Sequence, residues 1–500
     1  MKLQLPASAK NWLSLSGAVI AVTALFMIIF LFIIALTLPE EAAYLGLVMY
    51  ILLPSVMILG LLLIPLGMLR EVRRAGREGA EERPGWPRID LEDPRHRHAF
   101  FIFVIGTGIF LLISAVGSYE AFHYTESVQF CGTLCHSVMK PEYAAHKNSP
   151  HAKVACVSCH VGPGADWYAR SKLSGLYQVY AVAAQVYPRP IPTPIKNLRP
   201  ARTVCEQCHW PQKFYGHKLE LRTHYLSDQA NTPWRLGLNM KVGPAQSALG
   251  VSEGIHWHIH PKVRVEYGAT NPGRQQIPWV RLVNLENGSV KLFRDPDSGA
   301  SASPNDKGRV MDCIDCHNRP SHLYRPPAQF IDTALTAGRI PASLPGIKKL
   351  ALELSAAAYN TEEQAMQAIR GGIQQFYQTN HPALYNGQRP LVERAITGLQ
   401  GEFAQNIFPE MKVNWQAYPD NIGHLYYKGC FRCHNGTHRT ESGETISRDC
   451  TLCHDVVIQG GADRMDTGKI GESLPFRHPE DIGDAWQEPP CSDCHTGGPQ

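Results

Sequence analysis

The fourteen cysteines of this 500-residue chain fall into seven pairs, and a histidine follows each pair directly. Six pairs have the spacing C-x₂-C-H, and the first has C-x₃-C-H. Two thiols at this spacing can form thioether bonds to the two vinyl groups of one haem, and the next histidine can bind its iron. The pattern predicts seven covalently attached haems c, at Cys131/Cys135/His136, Cys156/Cys159/His160, Cys205/Cys208/His209, Cys313/Cys316/His317, Cys430/Cys433/His434, Cys450/Cys453/His454 and Cys491/Cys494/His495.

Two other uses of paired cysteines do not fit the counts. Zinc ribbons combine two C-x₂-C knuckles in one tetrahedral site, so seven knuckles cannot all pair, and a following histidine has no role there. A disulfide framework would not place each cysteine three or four residues from its neighbour and always before histidine.

The charge balance gives little support to a nucleic-acid partner. The chain has 48 Lys and Arg against 44 Asp and Glu, a formal net charge of +4, and the basic residues are dispersed apart from one arginine-rich stretch. The 42 glycines and 37 prolines fit a chain that wraps cofactors in short turns. We expect haem to fill much of the buried apolar volume.

Three apolar runs near the N-terminus are long enough to cross a bilayer. They cover residues 12–38, 43–69 and 99–118, and Pro54 and Pro65 are expected to kink the second. The first run is too long for a signal-peptide core and no small-residue cleavage pattern follows it, so we expect it to be retained.

The charges between the runs predict the orientation of the chain. The 70–98 loop holds eight arginines, whereas the 39–42 turn is Pro-Glu-Glu-Ala. The positive-inside rule places that loop in the cytoplasm and residues 120–500 in the periplasm of a bacterial inner membrane. Binding of anionic lipid or of a partner is a second interpretation of the arginines. They are Arg70, Arg73, Arg74, Arg77, Arg83, Arg88, Arg95 and Arg97.

The fold class is a membrane-anchored multihaem cytochrome c, with three transmembrane helices and a mainly helical or irregular haem-packed part that contains a small β-rich insertion. Alternation over 262–269 and a hairpin turn at Asn287-Gly288 indicate strands, and a capping box at Thr361 opens a helix. The predicted segments are a membrane anchor (1–118), a first haem domain (119–214), the β-rich insertion (215–310), a fourth-haem segment that completes a tetrahaem core (311–325), a helical segment (326–415) and a C-terminal trihaem segment (416–500).

Residues 119–126 run from the third span almost directly into the first motif, so the first haem is expected at the membrane surface. Residues 166–186 predict a helix with an apolar face. This helix lies in the membrane interface or packs on a haem.

Low-spin haem irons need a second axial ligand, usually histidine or methionine. Met139, His151 and His322 lie close to motifs, and His424, His438 and His478 match the three C-terminal haems in number. The third haem then lacks a partner. His256, His258 and His260 alternate along a predicted strand and form either its ligand or a three-histidine metal site. His217 and His224 are the other candidates, and His123, His146 and His381 are expected to be surface or supporting residues.

Several segments together resemble the NapC/NirT family of membrane-anchored quinol-oxidising cytochromes. They are a span running into FCGTLCHSVM, then SPHAKVACVSCH, CEQCH and CIDCHNRPSH, over roughly 99–215 and 310–322. The whole chain is similar to larger inner-membrane seven-haem cytochromes of this family in metal-reducing bacteria.

The resemblance implies ligands and a quinol site. It makes Met139 the ligand of the first haem, His151 that of the fourth and His322 that of the second. Family members place a lysine and an aspartate beside the first haem; Lys172 matches the lysine, while Gly175 stands at the aspartate position. Arg170 and Asp166 are further candidates for orienting the quinol or accepting its protons.

The leading hypothesis is a menaquinol dehydrogenase that draws on the quinone pool of the surrounding lipid. It passes electrons along the haems to periplasmic c-type cytochromes or a terminal reductase. One alternative is a non-catalytic electron-transfer subunit of a larger complex, docked to an integral membrane partner through the additional spans. The other is a multihaem terminal reductase of a small oxyanion, which needs an open iron site.

Overall fold

A computed structural model describes residues 10–35, 48, 52–75, 91–133, 136–162, 164–195, 199–211, 214, 216–243, 254–298, 307–469 and 471–499. The chain forms two compact units. The first contains the N-terminal helices as far as Met139, together with Ala155–Val157, and the second contains the remainder.

The first unit contains three helices that are long and apolar enough to cross a membrane. They are α1 (Trp12–Ala35), α2 (Leu53–Ala75) and α3 (Pro94–Glu126). This confirms three candidate spans, but the bounds of the second and third differ from the prediction. α2 extends through Arg70, Arg73 and Arg74, so these residues belong to its last turns rather than to a loop. α3 begins at Pro94, so Arg95 and Arg97 also lie in a helix. The 39–42 turn, the start of the predicted second run and Arg77, Arg83 and Arg88 lie outside the described residues.

Small residues let α1 and α2 approach closely. A Cβ added at Gly17 would lie 2.6 Å from the Gly60 carbonyl oxygen, and the Ser14 hydroxyl donates to the Ile64 carbonyl at 2.9 Å. Small residues and interhelical hydrogen bonds are the usual means by which helices associate in lipid. Pro54 lies in the first turn of α2, where proline is tolerated, so only Pro65 lies inside this helix.

α3 leads directly into the first motif. It continues for 33 residues to Glu126, and after one residue α4 (Val128–Thr133) carries Cys131. The third span and the first haem-attachment cysteine are therefore separated by only a few residues of helix.

Short helices carry several of the remaining motifs. The helices from the first motif to the fourth are α5 (His136–Lys147), α6 (Cys156–His160), α7 (Ala165–Ala183), α8 (Ala201–Cys205) and α9 (Cys313–Cys316), and α15 (Cys491–Cys494) holds the last. The fifth and sixth motifs begin in 3₁₀ turns, Gly429–Arg432 and Cys450–Leu452.

Two antiparallel four-stranded sheets lie in the second unit. The first has the order β1-β2-β7-β8, with strands Lys218–Tyr225, Pro233–Met240, His454–Gly460 and Met465–Thr467. The second has the order β5-β4-β3-β6, with β3 to β6 at Val263–Gly268, Trp279–Asn284, Val290–Arg294 and Arg309–Val310. The predicted alternating strand is β3, and the predicted hairpin joins β4 to β5, with Val283 opposite Val290.

The first sheet changes one predicted boundary. β2 pairs with β7, so that Met240 lies opposite His454 of the sixth motif. The β-rich insertion is therefore not a closed unit, because two of its strands share a sheet with the C-terminal segment. β7 is a buried strand in a region whose sequence periodicity is weak, so its pairing is decided by tertiary contacts rather than local pattern.

A helical body separates the fourth motif from the fifth. It consists of α10 (Pro327–Thr336), α11 (Ile347–Ala356), α12 (Glu362–Asn380), α13 (Pro382–Gly387) and α14 (Arg389–Asn406). The Thr361 hydroxyl accepts from the Gln364 amide at the start of α12, which confirms the predicted cap. The core includes Phe330, Ile369, Ile373, Ile396 and Phe403, all fully buried.

Asn231 joins the β1–β2 turn to this helical body. Its amide nitrogen donates to the Ala342 and Leu344 carbonyls at 2.9 and 2.8 Å, and its amide oxygen accepts from the Lys348 backbone at 2.9 Å. It is almost fully buried and has a φ of 48°, a conformation that asparagine tolerates better than most residues.

We predict that Asn231→Ala destabilises the second unit by about 3 kcal/mol, because buried backbone groups lose their partners. Asn380→Ala, which removes one exposed bond to the Phe376 carbonyl, is the matched control. The check is the thermal unfolding midpoint of the holoprotein by circular dichroism. Equal midpoints for the two variants would contradict this role.

Candidate haem-binding sites

A single helical turn arranges each motif for attachment. In the fourth motif Asp312 caps α9, and the His317 amide donates to the Cys313 carbonyl at 2.7 Å. The same bond closes the third, fifth and seventh motifs, at 2.8, 3.0 and 2.8 Å. Since residues three apart lie on one face of a turn, both thiols face the same side and the histidine follows them.

The two cysteines of a motif differ in exposure in several motifs. In the second and third motifs the leading cysteines, Cys156 and Cys205, are half-buried, whereas Cys159 and Cys208 are exposed. The protein alone therefore does not enclose Cys159 and Cys208. An accessible thiol can still react with a vinyl group, so the exposure is compatible with attachment, which at these two residues stays a prediction of the motif. Two later motif cysteines are exposed in the same way, Cys450 and Cys494.

Six of the seven motif histidines face the ring of another histidine. The distances between ring centroids fall between 5.8 and 6.3 Å. In motif order from the second to the seventh, the pairs are His160/His322, His209/His151, His317/His256, His434/His258, His454/His424 and His495/His478.

This separation fits an iron between two imidazoles. An imidazole nitrogen binds a first-row metal at about 2 Å and lies about 1 Å from its ring centroid, so two axial imidazoles have centroids roughly 6 Å apart. Direct stacking would bring the rings closer. The six pairs could therefore each hold one haem iron.

The hydrogen bonds at the second ring nitrogen support this use. A donated Nδ1–H fixes the tautomer and leaves Nε2 free to bind a metal. In six paired rings Nδ1 lies 2.8 to 3.1 Å from a backbone carbonyl oxygen. These rings and their carbonyl partners are His151 with Pro320, His256 with Val242, His258 with Ile255, His322 with Glu142, His434 with Ser447 and His478 with Glu480.

Burial favours the neutral form of several paired rings, which is the form that binds a metal. It lowers the pKa of His322 and of His424 to about 4, in each case with help from a neighbouring histidine. Burial also lowers the pKa of His258 and of His160.

Cysteines of successive motifs approach one another. The Cys131 thiol is hydrogen-bonded to Cys156 and lowers the pKa of Cys156 to about 7, and Cys313 acts in the same way on Cys205. Burial, then the neighbouring Cys430, raises the pKa of Cys316 to about 11. Haems attached at these neighbouring motifs would therefore lie close to one another.

His438 does not match its predicted role as a ligand. Its Nδ1 lies 2.9 Å from the Asn435 side-chain oxygen and its Nε2 lies 2.8 Å from the Ile277 carbonyl oxygen. Both ring nitrogens of this fully buried residue are therefore already bonded to the protein. His258 faces the fifth-motif histidine instead.

His256 and His258 also differ from the predicted arrangement. Residues 255–259 form a 3₁₀ helix rather than a strand. Two residues along a 3₁₀ helix span about 240°, so the rings point in different directions and meet two different motifs, the fourth and the fifth. On a strand they would have shared one face.

The predicted fourth-haem ligand, His151, faces the third-motif histidine at a ring-centroid distance of 5.9 Å, so the geometry favours pairing with the third motif instead. His322 faces His160 of the second motif, in agreement with the resemblance. Within the part of the chain that the structure describes, no three His, Cys, Asp or Glu side chains form a metal-binding group, so a separate three-histidine site has no support.

The remaining histidines fall outside the ring pairs. His217 contacts the Asn239 amide, and His224 contacts Asp332 at 3.3 Å. His260 accepts from the Lys262 amide. His146 is buried, which fits the supporting rather than the surface alternative: its Nδ1 lies 2.7 Å from the Ser321 hydroxyl and its ring centroid lies 6.4 Å from that of His322.

The first motif is only partly described. Cys131 lies in α4 and Met139 lies in α5, but Cys135 and the side chain of His136 fall outside the described residues. The geometry of the first axial pair is therefore left as a prediction from the sequence.

The proposed quinol-site residues share α7. Asp166 lies in its first turn, Arg170 is stacked 5.5 Å from the Trp167 ring, and Lys172 lies 5.0 Å from the Tyr168 ring. α7 also exposes large apolar side chains, Leu173, Leu176, Tyr177, Val179 and Tyr180. Either environment predicted for this helix, lipid interface or haem, would cover such a face.

Comparisons with known proteins agree with this chemistry. Residues 94–190 match the sequence profile of the NapC/NirT cytochrome c family, N-terminal region. The chain is 43% identical over 487 residues to the cytochrome c-type protein ImcH of Geobacter sulfurreducens, covering 97% of this chain and 95% of that protein. No solved structure matches.

The cysteine pairs, the spans that precede them, the family match and the near full-length relative lead to one assignment. The chain belongs to the NapC/NirT cytochrome c family, as a membrane-anchored multihaem electron-transfer protein with covalently bound haem c.

Proposed function

We propose that this chain oxidises menaquinol at the inner membrane and passes the electrons along seven haems to periplasmic c-type cytochromes or a terminal reductase. The observation that carries the proposal is the set of six histidine pairs at iron-binding separation, in a chain whose third span runs straight into the first motif. Haem supplies one-electron chemistry, and the protein's residues supply ligation, orientation and a dry environment.

The axial ligands follow from the pairs. His160, His209, His317, His434, His454 and His495 bind from the motif side, and His322, His151, His256, His258, His424 and His478 bind from the other side. Met139 and His136 are the pair for the first haem. Twelve paired rings and the His–Met site give seven six-coordinate irons. The terminal-reductase hypothesis needs an open position and loses support.

The contacts between motifs support a path in sequence order. Cys131 contacts Cys156, and Cys205 contacts Cys313. His151, which faces the third motif, lies only five residues before Cys156. His256 and His258 link the fourth site to the fifth. Beyond the fifth site, Cys430 is close enough to Cys453, and Cys450 to Cys491, to contribute to the raised pKa of each.

The membrane end is the entry point for electrons. A quinol is confined to the bilayer, and the short α3–α4 connection supports a position of the first motif close to it. Lys172, Arg170 and Asp166 are the candidates for orienting the quinol and accepting its two protons. The arginines in the last turns of α2 and in the sequence that follows support a cytoplasmic location for that end, and therefore a periplasmic haem-bearing part, by the positive-inside rule.

The domain proposal keeps the predicted segments with one change. Residues 1–118 anchor the chain, and 119–214 with 311–325 form the tetrahaem core. Residues 326–415 form the helical body. Residues 215–310 and 416–500 are treated together, because β2 and β7 share a sheet.

One observation favours the non-catalytic alternative. The apolar window of α3, Val104–Glu126, has no residue buried within the described structure. Lipid or an integral membrane partner would cover this surface. Co-purification of a quinone-binding membrane subunit would support electron transfer without direct quinol oxidation.

We predict that His258→Ala converts one low-spin haem into a high-spin haem, because the fifth iron loses its second imidazole. His438→Gln is the matched control, since both nitrogens of His438 are already bonded to the protein. Electron paramagnetic resonance of the oxidised holoproteins measures the change. A high-spin signal in the His438 variant alone would reverse the assignment.

We predict that a menaquinol analogue reduces the detergent-solubilised holoprotein, and that Lys172→Gln lowers kcat/KM roughly tenfold through loss of a charged hydrogen bond to the quinol. Lys153→Gln, at an exposed lysine outside α7, should leave it unchanged. Stopped-flow spectroscopy of haem reduction gives the rates. A fully loaded protein that menaquinol does not reduce, but dithionite does, would sink the proposal.

A further inference from the structure

A cleft beside the fourth motif is lined by basic side chains, none of which is a proposed haem ligand. It has a volume of about 540 Å³, within the range of ligand sites, and its lining includes Arg274, Arg309, Lys307 and Trp279. No motif cysteine or paired histidine lines it. The cleft is therefore separate from the spaces between the ring pairs.

A buried carboxylate holds the two arginines in place. One oxygen of Asp315 accepts from Arg274 Nη1, from Arg309 Nε and from the Tyr267 hydroxyl, at 2.7, 2.7 and 2.6 Å. The Asp315 side chain is 2% exposed, whereas those of Arg274 and Arg309 are 22% and 38% exposed. Each guanidinium is thus fixed through one nitrogen and keeps other N–H donors at the cleft.

The backbone at Arg274 is in an unfavourable conformation. Its φ is 55°, which a branched or long side chain rarely adopts, and the Arg432 guanidinium holds its carbonyl oxygen at 2.8 Å. Such conformations persist where surrounding contacts enforce them, and they concentrate at binding sites. Here Asp315 holds the side chain and Arg432 holds the backbone.

The wall of the cleft is shaped by two glycines. A Cβ at Gly268 would overlap Trp279 Nε1, and one at Gly308 would lie 2.6 Å from the far edge of the same indole. Only glycine at both positions lets the Trp279 ring lie flat against β3 and the start of β6. The indole thereby forms an apolar wall beside the arginines.

The charges in the cleft do not cancel. Arg274, Arg309 and Lys307 carry three positive charges against the single negative charge of Asp315, which leaves about +2. The nearby Glu266 is already bound by Arg264 and Arg281, at 2.8 and 2.7 Å. Among the residues that the structure describes, no carboxylate contacts Lys307 within ion-pair distance.

We propose that this cleft is a binding site for a small polyanion, either a phosphate ester or a polycarboxylate. Guanidinium groups held by a buried carboxylate can donate paired hydrogen bonds to the oxygens of phosphate or carboxylate groups. Little conformational entropy is lost on binding because these side chains are already ordered. Lys307 adds an exposed point charge at the rim.

The test is isothermal titration calorimetry of the detergent-solubilised holoprotein at low ionic strength, with inorganic pyrophosphate in one arm and citrate in the other. We expect saturable binding of one anion per chain, and the tighter of the two identifies the class. Lys307→Gln should weaken binding about tenfold or more, the usual effect of losing a charged hydrogen bond. Arg309→Gln should weaken it at least as much.

Lys262→Gln is the matched control, since Lys262 precedes the other end of β3 and pairs with Glu286. If Arg309→Gln fails to fold, the exposed Lys307 variant decides the question. Absence of saturable binding, including through prior occupation by a haem propionate, would overturn the proposal. Equal affinities for the wild type and Lys307→Gln would also overturn it.

Discussion

The second unit has to hold pairs of imidazole rings with their centroids about 6 Å apart, and its other features follow from this requirement. An iron held between two rings tolerates little error in their spacing, so each ring must be fixed by the polypeptide. Carbonyl oxygens lie within hydrogen-bond distance of Nδ1 in six of the rings, and burial lowers the pKa of several paired rings, His322 among them. The surrounding helices and sheets position those carbonyls and rings.

The helices and strands between the motifs therefore set the positions of the paired histidines. The 3₁₀ helix at 255–259 lies between the two sheets in sequence and supplies rings to two successive sites. His322 follows the fourth motif yet faces the second, which links these two parts of the chain. β7 begins at the sixth-motif histidine and pairs with β2, so the first sheet fixes the C-terminal sites against the insertion. Electrons moving in sequence order would cross each of these connections.

The sequence predicts well what is decided within a few residues. Motif histidines, the three apolar helices and the Thr361 cap depend on local spacing, and all six histidines that face a motif histidine were among the candidate ligands. The spacing of Cys159 and Cys208 is local too, but their exposure depends on how the surrounding chain packs. The assignments that failed depend on distant contacts. His438 looks like a ligand until the Ile277 carbonyl, 161 residues away in sequence, is seen to bind its second nitrogen.

His256 and His258 failed for a different reason. Alternating histidines are typical of a strand face, and only the 3₁₀ geometry sends the two rings to different motifs. Arg274 and Asp315 were not identified from the sequence at all, because their contact joins a turn to a motif interior and no local pattern signals it.

Near-infrared magnetic circular dichroism of the oxidised holoprotein measures the axial ligands of the haems, because its charge-transfer bands distinguish ligand pairs. We expect six haems with two histidine ligands and one with histidine and methionine, with no high-spin component. Fewer than six bis-histidine haems, or a high-spin haem in the resting protein, would contradict this assignment of ligands.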